Sequence, residues 1–82
     1  MVIYADFGKV EIDTSEMACS KYGCKSGEEL THKVSGRKYK VLGVGKSSCG
    51  REVLWFDCEG KQSHISHEDL FLLLEKTSQA RT

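Results

Sequence analysis

Ser35-Gly-Arg-Lys-Tyr-Lys-Val-Leu-Gly-Val-Gly45 leads, across a polar loop, into Glu52-Val-Leu-Trp-Phe-Asp57 and then Glu59-Gly-Lys-Gln62. Two runs rich in β-branched and aromatic residues, each closed by glycine and polar clusters, are the signature of neighbouring strands. Side chains alternate across a strand, so Tyr39 and Val41 share one face with Arg37, while Lys38, Lys40 and Leu42 share the other. Gly43 and Gly45 interrupt that alternation and predict a bulge or bend of the kind that curls a small sheet toward a barrel. In the second run Leu54, Phe56 and Cys58 point one way, and Val53, Trp55 and Asp57 the other. Both sets are largely apolar, which places this strand at the centre of a sheet, covered on both faces or with Trp55 left for a ligand. Glu59-Gly-Lys-Gln62 reads as a hairpin turn into a short strand over residues 63–66, with Ile65 inward.

Working outward, residues 1–13 read as extended structure. Val2, Tyr4, Val10 and Ile12 alternate with polar or small residues on either side of Phe7-Gly8-Lys9, and Gly8 turns the chain. Asp13-Thr-Ser-Glu16 carries a helix start, with Asp13 as N-cap and Glu16 three residues on. A helix of about two turns over residues 15–22 is stable only when packed, which assigns Met17, Ala18 and Tyr22 to the sheet side. Gly23 ends it with a positive φ. Residues 28–34 form the next strand around Leu30, followed at i+2 positions by His32 and Val34, and Ser35-Gly36 turns into the first quoted run. Beyond the hairpins, Ser66 caps a second helix, with Glu68 and Asp69 where the helix dipole favours negative charge. Leu70, Leu73 and Leu74 fall at i, i+3 and i+4 as its core stripe, which Phe71 and Leu72 widen.

A chain of 82 residues is expected to form one domain over residues 1–76, with a flexible polar tail over residues 77–82. Chains of this length bury only about 60% of their unfolded surface, so the core is small. With 39% hydrophobic residues, 29% charged and no proline, the composition excludes a disordered segment. No apolar run approaches the roughly 20 residues of a membrane span, and the first residues lack the parts of a signal peptide. The expectation is a cytoplasmic or nuclear protein with no membrane partner.

The 12 basic and 12 acidic residues cancel overall but not locally, because Lys33, Arg37, Lys38, Lys40, Lys46 and Arg51 lie between Leu30 and Arg51 without one Asp or Glu. That pattern marks either a basic face for an acidic partner or a solvated hairpin with long cationic side chains.

Four cysteines, Cys19, Cys24, Cys49 and Cys58, suffice for two disulfides or one tetrahedral metal site. Without a signal peptide, disulfides are not expected. A zinc site would combine Cys19-x4-Cys24 with Cys49, Cys58, His64 or His67, and a small core gains from a structural metal. Against it, Cys49 and Cys58 stand nine residues apart, Cys19 falls inside the predicted helix, and a buried free cysteine is an ordinary core residue. No metal or other cofactor is therefore expected. Cys49 beside His64, with Arg51 lowering the thiol pKa, is the pair a nucleophilic mechanism would need. No oxyanion motif, third orienting group or deep pocket accompanies it, so the protein is expected not to be an enzyme. His64 and His67 read as a sheet-surface residue and a first-turn helix residue rather than as ligands or a pH switch.

From Gly27 to Leu74 the succession of strand, tight turn, strand ending in Gly-Val-Gly, loop, strand with Leu-Trp-Phe, turn, short strand and terminal helical turn resembles the SH3-like small barrels, the group that includes Tudor and KOW domains. Lys38-Tyr-Lys-Val-Leu-Gly-Val44 followed by Val53-Leu-Trp-Phe56 is similar to their second and third strands, and Ser66-His-Glu-Asp-Leu70 to their strand-to-helix closure. The resemblance implies a mainly β, partly open, five-stranded barrel with two short helices, acting as a recognition module for peptides, modified lysine or arginine, or nucleic acid. A Tudor-like cage needs several rings around a methylated cation, and the hairpin pair offers only Tyr39, Trp55 and Phe56. A KOW-like contact would set the basic segment 33–51 on phosphates with Trp55 as base stacker. Trp55 reads equally well as a core residue under the C-terminal helix. The function expected is non-enzymatic binding of a protein or peptide through Trp55, Tyr39, Arg37, Lys38, Lys40, Lys46 and Arg51. RNA or DNA on the same surface is the alternative, and a zinc-binding structural domain the second alternative.

Overall fold

The computed structural model describes residues 1–76, and the expected tail over residues 77–82 lies outside the described residues. The elements in order are β1 (Val2–Ala5), β2 (Gly8–Glu11), α1 (Glu16–Ser20), β3 (Glu29–His32), β4 (Lys38–Lys46), β5 (Glu52–Cys58), β6 (Lys61–Ile65), α2 (His67–Leu73) and β7 (Leu74–Lys76). β1 and β2 pair as a separate antiparallel hairpin, and the other strands form one five-stranded sheet in the order β6-β5-β4-β3-β7. The fold is thus mainly β with two short helices, and its sheet is not closed into a barrel.

The glycines of β4 mark an irregularity and a close crossing. The β4–β5 register shifts between Val41 and Gly43, a bulge as the broken alternation predicts. Here the N-terminal hairpin crosses onto the sheet: Asp13 N–H donates to Val44 O at 2.7 Å and Val44 N–H to Asp13 O at 2.9 Å. Gly43 has φ +152, and a Cβ on it would stand 2.5 Å from Asp13 O and 2.6 Å from Ile12 Cγ2. Only glycine permits so close a backbone crossing.

β5 is the centre of the packing. Val53, Leu54, Trp55 and Phe56 are all buried, and the strand divides the core into two clusters. On the helical side Leu54 packs in a cluster with Val41, Val44, Leu30, Cys19, Tyr22, Cys24, Leu70 and Leu74. On the other side Val53 and Trp55 pack with Ile3, Val10 and Ile12 of the N-terminal hairpin. Trp55 is 1% exposed. Its cover is therefore the N-terminal hairpin, not the C-terminal helix.

Several local expectations are corrected. The N-cap of α1 is Ser15, whose Oγ accepts from Ala18 N–H at 3.3 Å, while Asp13 Oδ1 accepts from Ser15 N–H one step outside. Its buried members are Cys19 and, just past its end, Tyr22, and Met17 stands 85% exposed. Residues two apart on a helix point to different sides, so the face that buries Cys19 leaves Met17 in solvent. Gly23 does take a positive φ, +67. β3 stops at His32 because His32 Nδ1 accepts from the N–H groups of Val34 and Ser35 at 3.2 and 3.1 Å, which turns the chain and leaves Val34 outside.

β6 begins at Lys61 rather than residue 63, since the turn holds only Glu59 and Gly60, with φ +54 and +86. Two successive positive φ angles define the tight hairpin turn whose twist suits the flanking strands. In α2 Ser66 caps as read, its Oγ accepting from Asp69 N–H at 3.3 Å. The helix nonetheless ends at Leu73, which is 38% exposed, and Leu74 turns extended to start β7 along β3. A continuous apolar run does not by itself distinguish helix from strand, and here the open edge of β3 takes the last leucine. Among the described residues no helix is long and apolar enough to cross a membrane.

Candidate functional site

The strand register separates the residues that the sequence groups together. Lys40 lies between Glu29 on β3 and Asp57 on β5, Lys38 reaches Glu29 at 3.8 Å, and Lys46 lies opposite Glu52. Opposite charges facing each other across strands offset one another. The acid-free stretch of sequence is therefore not an acid-free surface. Arg37, just before β4, and Lys46, its last residue, also lie at opposite ends of that strand, at most about 30 Å apart at the ordinary rise per residue. Arg51 closes the β4–β5 loop through its carbonyl, which accepts from Ser47 N–H at 2.8 Å. Tyr39 is half-buried, its ring 4.6 Å from that of Phe56, and shares an open groove with Arg37.

The cysteines do not converge either. Cys19 and Cys24 are buried in the helical-side core, Cys49 is exposed in the β4–β5 loop and Cys58 is half-buried at the end of β5. Among the described residues no three His, Cys, Asp or Glu side chains are arranged to hold a metal. Burial pushes the Cys24 thiol up to about 11, with the charges of Glu28 and Cys19 adding to the effect. Burial also raises that of Cys19. The exposed Cys49 thiol goes the other way, held below its ordinary value by the Ser47 hydroxyl at 3.1 Å and by the Arg51 backbone. Its partner is thus Ser47, while His64 packs its ring edge on Trp55 at 4.8 Å. His67 Nε2–H donates to Lys21 O at 2.9 Å and its ring meets Tyr22 and Phe71, a tie between the two helices.

What the fold does bring together is a pair of grooves on either side of β6. The larger, about 640 Å³, runs between the tip of the N-terminal hairpin and β6, with Trp55 among its lining residues. Phe7 stands over the indole with ring centroids 5.9 Å apart, and Tyr4, Phe7 and His64 supply the walls. Tyr4 is 77% and Phe7 47% exposed, an unusual state for rings that a small domain needs in its core. The smaller groove, about 440 Å³, lies over Tyr39 and Phe56 between Arg37, Glu59 and Lys61. Lys61 and Ser63 line both.

Of the residues named from sequence, Trp55 lines the larger groove and Tyr39 and Arg37 the smaller, while Tyr4, Phe7 and His64 beside Trp55 were not named for a binding surface. The available signal was an aromatic beside a turn glycine, Phe7-Gly8, at the tip of the hairpin. Comparison of the chain with protein-family models, with curated proteins and with solved structures returns no match.

Proposed function

We propose that the protein is a non-enzymatic recognition module that binds a protein or peptide partner in the groove between the N-terminal hairpin and β6. The observation that carries this reading is the set of rings at that groove: Trp55 buried and fixed beneath it, with Phe7, Tyr4 and His64 around it. A rigid aromatic floor with partly exposed aromatic walls offers apolar contact at small cost in side-chain entropy. Trp55 thus acts as floor, while Phe7 and His64 make the side-chain contacts. The basic residues contribute less than their number suggests, because Lys38, Lys40 and Lys46 face Glu29, Asp57 and Glu52. This favours a peptide over RNA or DNA, which needs cations unopposed on one surface.

The test is a selection of displayed random peptides on the full chain, followed by titration of the winners against wild type and Phe7→Ala. Phe7 is half-exposed, so its loss leaves the fold intact. Peptides that bind wild type and lose about tenfold or more in affinity to the variant support the reading. Peptides indifferent to Phe7→Ala and His64→Ala place the binding surface elsewhere and overturn it. A steep linear fall of log K with log salt for an added single-stranded oligonucleotide, with no peptide selected, would instead establish the nucleic-acid alternative.

A further inference from the structure

β6 is an end strand of the sheet, five residues long, with β5 as its one strand neighbour among the described residues. Its main chain borders both grooves. The register decides which side chains serve which groove: His64 lies opposite Trp55 and Gln62 opposite Asp57, whereas Ser63 lies opposite Phe56 and Lys61 opposite Cys58. Alternate residues of β6 therefore lie on opposite faces of the sheet: Gln62 and His64 line the Trp55 groove alone, while Lys61 and Ser63 line the Tyr39–Phe56 groove and the rim of the other. A strand laid along β6 would obey the same alternation, sending its own side chains by turns into the two grooves.

We propose that the partner is bound as an added β-strand along the free edge of β6, an extended peptide segment that alternates apolar side chains toward Trp55, Phe7 and His64 with acidic side chains toward Arg37 and Lys61. This rests on the peptide-recognition reading above and specifies how that site is used. In strand addition, main-chain hydrogen bonds supply affinity and pockets for alternate side chains supply specificity. The acidic preference follows from charge: Arg37 and Lys61 face the smaller groove against the single carboxylate of Glu59. The apolar preference follows from the rings at the larger one. Ser63, small and exposed in the middle of β6, leaves the approach to the edge open.

The experiment uses the full chain and two synthetic probes, a peptide alternating phenylalanine with glutamate and its counterpart alternating phenylalanine with lysine. The expected result is binding of the acidic probe about tenfold or more tighter than the basic one. N-methylation of alternate amides of that probe should weaken it by about tenfold, while N-methylation of the intervening amides changes little, because only every second N–H faces the edge. Equal sensitivity at all positions, or none, overturns strand addition. If selected peptides bind and depend on Phe7 yet ignore N-methylation, the strand geometry fails while the peptide-binding function stands. If no peptide of any kind binds, both fail. A chain that sediments as a dimer, with β6 amides already protected from exchange and no peptide added, shows the edge occupied by a second copy and overturns the proposal as well.

Discussion

β5 and β6 are consecutive strands joined by a two-residue turn, yet they occupy opposite situations. β5 has strands on both flanks and apolar cover on both faces, so four successive residues, Val53 to Phe56, are buried. Among the described residues β6 has a strand on one flank only, and Lys61 to His64 are all exposed. The difference concentrates stability in the strand whose buried residues enter both core clusters, and the proposed binding mode uses the outer edge of its neighbour.

That contrast is broken most severely by emptying β5. Trp55→Ala should cost about 3–5 kcal/mol, and Leu54→Ala about 2–5 kcal/mol, read as a lower urea midpoint, since each removes a large side chain from one core cluster. Equal stability of wild type and Trp55→Ala would mean that the N-terminal hairpin does not pack on β5. Gly43→Ala comes next, at about 2–3 kcal/mol, because the new methyl meets the Asp13 backbone as well as Ile12 and the φ is positive. Gly60→Ala, in the β5–β6 turn with open space around it, should cost about 1 kcal/mol from its φ alone. Similar values for the two glycines would contradict the crossing at Gly43.

Cysteine chemistry sharpens the same division between interior and surface. With its pKa raised from 9.0 to about 11, Cys24 remains protonated in the folded chain at a pH where the unfolded chain already ionises. Its contribution to stability is thus complete below pH 9 and is lost as pH rises from 9 toward 11. Cys24→Ala should flatten the stability profile across that window, measured by urea unfolding at successive pH values. Alkylation of the native protein at neutral pH should label Cys49 first and spare Cys19 and Cys24 until the chain unfolds. The smallest stability effect expected is that of Phe7→Ala, about 1 kcal/mol or less for a half-exposed ring.

The strands of the central sheet were legible because their signals are local. Alternation, glycine punctuation and β-branched residues identified β4 and β5, and the apolar character of both faces of β5 foretold its double cover. The features that escaped the sequence depend on what lies opposite. Lys38, Lys40 and Lys46 look unopposed along the chain and acquire Glu29, Asp57 and Glu52 only through strand register. Leu74 belongs by periodicity to α2, and the unsatisfied edge of β3 draws it into β7. The groove combines Phe7 with His64, residues far apart in sequence, through a crossing that Gly43 permits, and no spacing rule reports such a meeting.

The most direct test of the division between β5 and β6 is amide hydrogen exchange on the full chain, with and without the peptide that alternates phenylalanine and glutamate. The account predicts slow exchange throughout Val53 to Phe56 in both conditions, and fast exchange at alternate amides of β6 that becomes slow when the peptide is present. Outward amides of β6 already slow in the free protein, or still fast with the peptide bound, would contradict it.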